Sequence, residues 1–80
     1  MERQEIYARL KEVFADVFDR EVELHDETTA SDVEGWDSLR HIMLISAVEE
    51  EFEIKFDMKA VRELKNVGAM VDVISEMAAP

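Results

Sequence analysis

Apolar residues recur at helical spacing through the first eighteen positions. Ile6, Leu10, Val13, Phe14 and Val17 make one stripe, charged residues occupy the other side, and neither Gly nor Pro interrupts them. The spacing predicts an amphipathic helix over Glu2–Phe18 whose stripe packs into a core. From Asp19 to Asp37 the pattern is lost. Val22, Leu24, Ala30 and Val33 keep no sustained period, which predicts a long connection pinned to the core at intervals. Connections above about 12–15 residues are uncommon in compact domains and tend to be functional or disordered. The helical period returns over Ser38–Phe52. Leu44, Ile45, Val48 and Phe52 share the predicted inward face, while Leu39, Ile42, Met43 and Ala47 lie on a flank that this face does not accommodate. Asp37 suits the N-cap, and Gly35 before it gives the chain freedom to turn.

Glu53–Phe56 reads as a short extended link, with Ile54 and Phe56 alternating against Glu53 and Lys55 and no convincing partner strand. Asp57 caps a short helix, Met58–Leu64, with Val61 and Leu64 as its apolar edge. Asn66 caps a last helix, Val67–Met77, striped by Val67, Met70, Val71, Ile74 and Met77. Ala78-Ala79-Pro80 reads as a frayed tail. Three amphipathic stripes must face one another. The expected fold is all-α: one domain, residues 1–80, a small bundle of three main helices plus one short helix, with a long loop between the first two. A core of this size supplies roughly 3–5 kcal/mol net.

Charge narrows the partners. Twenty acidic and nine basic residues give a net charge of -11. Nucleic acid and anionic membranes would repel such a surface, and a basic protein surface is the expected counterpart. No apolar run approaches the roughly 20 residues that span a bilayer, so membrane insertion is not expected. The start, Met1-Glu2-Arg3-Gln4-Glu5, has no apolar region of the signal-peptide kind. The chain has no cysteine, in keeping with a cytoplasmic, reducing setting. Any thiol chemistry must therefore borrow its sulfur. The Asp19–Asp37 loop holds eight acidic residues and one basic residue, a net -7. It lacks the ligand order of a calcium loop. The Glu49-Glu50-Glu51 run opposes the macrodipole at its end of the second helix, a placement that hints at recognition rather than stability.

Candidate chemistry centres on Ser38. His41 lies one helical turn on, but nucleophilic catalysis also needs an orienting group and an oxyanion hole, and neither is evident. No catalytic residue is expected. His25 and His41 stand sixteen positions apart without metal-ligand spacing, so no metal site is expected either. Phosphate-binding glycine loops are absent, since Gly35 and Gly68 are the only glycines. Ser38 is then either an ordinary helix-start residue or an attachment point. An anion attached there would meet free amide N–H groups and the positive end of the helix dipole.

Asp37-Ser38-Leu39 at the start of a second helix, after a long acidic loop, resembles the acyl carrier proteins and related peptidyl carrier domains. The resemblance extends through Glu49-Glu50-Glu51-Phe52 and Asn66-Val67-Gly68 to Val73-Ile74, essentially the whole chain. It implies that Ser38 carries 4'-phosphopantetheine, added from coenzyme A by a phosphopantetheinyl transferase. The arm's terminal thiol would hold acyl or aminoacyl groups as thioesters. A non-enzymatic, monomeric carrier of this kind serves acyl-loading and acyl-processing enzymes through their basic patches. Asp37, Leu39, Arg40, Ile42, Met43, Glu49 and Glu50 are the implied recognition positions. Arg40 and Met43 stand where bacterial fatty-acid carriers usually have acidic residues. That departs from the housekeeping fatty-acid carrier, and the Gly35-Trp36-Asp37-Ser38-Leu39 wording resembles free-standing carriers of specialised pathways, such as polyketide, hybrid peptide or modified-lipid biosynthesis. Trp36 is either a partner contact beside the arm or an anchor for the loop end.

Two other readings remain on the residues alone: an acidic helical interaction module without a prosthetic group, and a small hydrolase built on Ser38 and His41. All of them share one consequence. With so much negative charge in one loop, added salt or millimolar divalent cation should raise Tm, most steeply at low ionic strength. A Tm flat across a salt series would contradict this.

Overall fold

In the computed structural model, which describes residues 2–62 and 64–78, the predicted first helix forms as α1, Arg3–Phe18. Its buried residues are Ile6, Leu10, Val13, Phe14 and Phe18. The last member of the stripe is thus Phe18, and Val17 is only half-buried. Phe18 turns inward because it stacks on Phe14 one helical turn back, with ring centroids 5.6 Å apart and planes 18° apart. Asp19 then ends the helix in the left-handed conformation, φ 57°, which aspartate tolerates better than most residues.

The loop that follows is pinned as its composition suggests. Val22 and Val33 are buried and Leu24 is partly so, whereas Ala30 is exposed. One 3-10 turn, Ala30–Asp32, interrupts it. The Asp32 carboxylate accepts from the Thr29 amide at 3.0 Å and the Thr29 hydroxyl at 3.2 Å.

Helix α2 spans Ser38–Phe52 and buries Leu44, Val48 and Phe52, with Ile45 half-buried. α3 spans Met58–Arg62 and starts from Asp57, whose carboxylate accepts from the Ala60 amide at 2.7 Å. The helix is shorter than its apolar pattern suggested. Leu64 lies beyond it as a half-buried residue, and Glu63 falls outside the described residues. α4 spans Val67–Met77, capped by the Asn66 side chain at 2.8 Å from the Ala69 amide. It buries Val67, Gly68, Met70, Val71 and Ile74, while Met77 is 41% exposed. Ala78 belongs to the fold rather than to a frayed tail. Its amide donates to the Ile74 carbonyl at 2.7 Å and it packs against the core; Ala79 and Pro80 fall outside the described residues. No strand occurs among the described residues.

α1 is the central element and packs against both α2 and α4. The loop closes over the start of α4. There the Val67 amide donates to the Thr28 carbonyl at 2.8 Å and the Gly68 amide to the Asp26 carbonyl at 3.0 Å. Helices leave their first amides without internal partners, and the loop supplies the missing acceptors. The approach is close because residue 68 has no side chain: a Cβ there would stand 2.9 Å from the Asp26 carbonyl oxygen. On the outer surface, Arg3 joins three elements, donating to Asp72 at 2.7 Å and to Asp26 at 2.9 Å. The Tyr7 hydroxyl also donates to Asp26. That bond and Arg3 hold the Asp26 carboxyl below its ordinary range. Partial burial, then the bond to Asp26, push Tyr7 up to about 12. These ion pairs are exposed and screened by solvent, so they add little to stability.

Gly68 allows opposing forces to be separated. Helix propensity alone would make Gly68→Ala stabilising by about 0.8–1 kcal/mol. The clash with Asp26 backbone should reverse the sign and destabilise the fold by about 1–3 kcal/mol in urea unfolding, as overpacking does. A stabilised variant would show that the loop does not press on α4 as described.

Candidate functional site

The chain approaches Ser38 through a tight turn. Gly35 sits at φ +86°, a conformation that other residues rarely adopt. The Trp36 amide donates to the Val33 carbonyl at 3.2 Å, and the Asp37 amide to the Gly35 carbonyl at 3.0 Å. Arg20 holds the outside of the turn, donating to the Glu34 carbonyl at 2.7 Å. Trp36 then seats the loop end on α1. Its ring lies edge-on to Phe14, at 5.4 Å and 81°, and to Phe18, at 6.1 Å and 65°. Of the two roles open to Trp36 in the sequence, the structure displays the anchor.

Asp37 caps α2 as its position suggests, its carboxylate accepting from the Arg40 amide at 2.8 Å. The first intrahelical bond runs from the His41 amide to the Asp37 carbonyl, at 2.8 Å. The amides of Ser38 and Leu39 therefore precede the helix's own bonding and point out of its N-terminus. Ser38 is exposed there as the first helical residue. Leu39 is 67% exposed, Ile42 66% and Met43 46%. These three large apolar side chains on the first turns of α2 have no place in the core.

Two other sequence-derived candidates are engaged within the fold. Arg40 is half-buried. Its guanidinium donates to the Val17 carbonyl at 3.1 Å and lies 5.9 Å from the centroid of the Phe18 ring. It thereby satisfies a carbonyl at the C-terminal end of α1, where a cation is also favoured by the dipole. Glu49 is half-buried too, and its carboxylate accepts from the Phe56 amide at 2.8 Å. That bond ties the link before α3 to the end of α2, a structural use for one carboxylate of the acidic run. Glu50 is exposed.

Sequence reasoning did not anticipate the Trp36–His41 pair. The indole N–H donates to His41 Nδ1 at 3.0 Å. Residues five apart across a loop–helix boundary carry no periodic signal. Ser38 and His41 line one shallow hollow with Ala30, Trp36, Asp37 and Ile42. A larger polar hollow lies within the loop, among residues such as Arg20, Glu23 and Glu34, and shares no residue with it. Among the described residues, no group of three or more His, Asp or Glu is placed to hold a metal ion. No helix among the described residues is long and apolar enough to cross a membrane.

Residues 8–74 match the family model described as a phosphopantetheine attachment site. The acyl carrier protein of Clostridium perfringens is 38% identical over 72 residues, covering 89% of this chain and 95% of that protein. The acyl carrier protein of Guillardia theta is 31% identical over 81 aligned residues, covering 99% of each. Among solved structures, the solution NMR structure of a holo acyl carrier protein from Geobacter metallireducens superimposes with a TM-score of 0.83. It is 38% identical, covering 90% of this chain and 83% of that one.

His41 gives the site a pH signature. Burial lowers its pKa below the ordinary 6.5. The folded chain then resists a proton that the unfolded chain accepts. Stability linked to His41 is fully present above about pH 6.5 and declines as pH falls through that value toward the folded pKa. His41→Gln removes this share. The stability lost between about pH 7.5 and pH 5.5 should be smaller in the variant than in the wild type when both are followed by urea unfolding. Equal losses would contradict the burial of a neutral imidazole.

Proposed function

This chain belongs to the acyl carrier protein family, whose members bear covalently attached 4'-phosphopantetheine, and on that premise we propose that Ser38 is the attachment residue. The family makes the chain a carrier rather than an enzyme, with a phosphopantetheinyl transferase and acyl-processing enzymes as its class of partners. The observation that carries the assignment is an exposed serine hydroxyl on the first residue of α2. The residues present fit the group. Asp37 organises the helix start without occupying the Ser38 and Leu39 amides, and a phosphodiester on Ser38 would meet their N–H groups. Once attached, the arm supplies the thiol that the cysteine-free chain lacks, on which acyl or aminoacyl groups are held as thioesters.

Around Ser38, Asp37, Leu39, Ile42, Met43 and the more distant Glu50 form the exposed surface that a partner would meet. Its apolar members supply contact area, and the carboxylates attract basic patches and steer the approach. Arg40 and Glu49 act on this surface chiefly by holding α2 in place, through Val17 and Phe56. Arg40 and Met43, which replace the acidic residues usual beside the serine of fatty-acid carriers, favour a free-standing carrier of a specialised acyl or peptide pathway.

Incubation with coenzyme A and a broad-specificity transferase, followed by intact-protein mass measurement, tests the attachment. The wild type should gain one phosphopantetheinyl group and Ser38→Ala none. An unmodified wild type, under conditions that load a control carrier, would overturn the assignment.

A further inference from the structure

The hollow beside Ser38 has a construction that attachment alone does not require. Ala30, Trp36 and Ile42 give it apolar walls, and Asp37, Ser38 and His41 are its polar members. The Trp36 and His41 ring planes lie 23° apart with centroids separated by 6.0 Å. The lone pair on Nδ1 lies in the imidazole plane. A hydrogen bond to it from the indole N–H therefore sets the two rings side by side, as one extended flat surface, rather than face to face. The same bond selects the tautomer. Nδ1 is the acceptor, so the neutral ring carries its hydrogen on Nε2. No acceptor among the described residues takes that hydrogen. His41 follows Ser38 by three positions, which places both on one side of the helix.

We propose that this hollow is the resting site of the prosthetic arm, with His41 Nε2–H donating to the phosphodiester on Ser38 and the arm's first apolar carbons lying on Ala30, Trp36 and Ile42. The inference rests on Ser38 as the attachment residue. Its chemistry is matched at both ends. A neutral imidazole N–H complements a phosphodiester oxygen without adding a buried charge, and the flat ring surface complements the branched hydrocarbon that follows. Leu39 and Met43 are not part of the lining. An arm parked there leaves both free for a partner, and Asp37 and Ile42 are the residues that both surfaces use. Docking of a partner over Ile42 would then compete with the parked arm and favour its release.

Trp36 is the only tryptophan in the chain, so its fluorescence reports on the hollow alone. Apo and holo protein, the latter verified by mass, are compared by acrylamide quenching and by NMR titration of His41. In the holo protein the quenching constant should fall. The His41 midpoint should rise by about half a unit or more, since an anion within hydrogen-bonding reach favours imidazolium. Asp37, the other titratable residue of the lining, is present in both forms and cannot produce the difference. In holo His41→Gln, with folding checked by circular dichroism, the quenching constant should return toward the apo value. A loaded protein with unchanged quenching and an unchanged His41 midpoint would overturn the resting site and leave the attachment intact. Shielding that persists undiminished in holo His41→Gln would overturn the histidine contact. Failure to load at all would instead overturn the attachment, and the resting site with it.

Discussion

The position of Ser38 depends on an aromatic junction at the C-terminal end of α1. Phe14 and Phe18 stack there, Trp36 sets its edge against both, and Arg40 lies over Phe18 while bonding the Val17 carbonyl. Aromatic pairs contribute about 0.5–1.5 kcal/mol each beyond their buried area, and a cation over a ring about 0.5–1 kcal/mol at an exposed site. Two residues flanking the Asp37-Ser38-Leu39 segment, Trp36 before it and Arg40 after it, are thus gripped by the same helix end. A long loop would otherwise leave the start of α2 poorly placed. The junction fixes the serine while leaving its hydroxyl exposed.

Positive charge is scarce in this chain, and its placement is informative. Arg3 binds Asp26 and Asp72, Arg20 holds the Glu34 carbonyl, and Arg40 holds the Val17 carbonyl. Each ties the acidic loop, or the helix ends on either side of it, to the bundle. Two of the three engage backbone carbonyls rather than carboxylates. Much of the loop's charge therefore stays unneutralised, while its backbone is nonetheless held. Restraint of the loop and its electrostatic reach are carried by different groups.

The helices and their caps were legible in the sequence because they rest on local rules. Asp37, Asp57 and Asn66 each accept the amide hydrogen bond that an N-cap residue takes. The fold likewise follows from period, order and loop length, and the family from the resemblance that Asp37-Ser38-Leu39 carries in that setting. The rest depended on contacts between segments that share no period. Arg40 and Glu49 read as surface residues by pattern, yet each reaches a backbone group, twenty-three and seven positions away. The Trp36–His41 bond crosses from loop to helix, where hydrophobic spacing has no meaning. Phe18 displaced Val17 as the last buried residue of α1 because the aromatic junction, assembled partly from the loop, selects the ring.

The bonds between the loop and α4 alter what the first turn of that helix reports. Amides at a helix N-terminus commonly exchange with solvent as fast as the turn frays. The Val67 and Gly68 hydrogens are instead held by the Thr28 and Asp26 carbonyls. They become free only when the loop lifts from the bundle, so their exchange measures a sub-global opening rather than the fraying of α4. Two adjacent amides on the last helix thereby keep time for a loop that begins nearly fifty residues earlier in the chain.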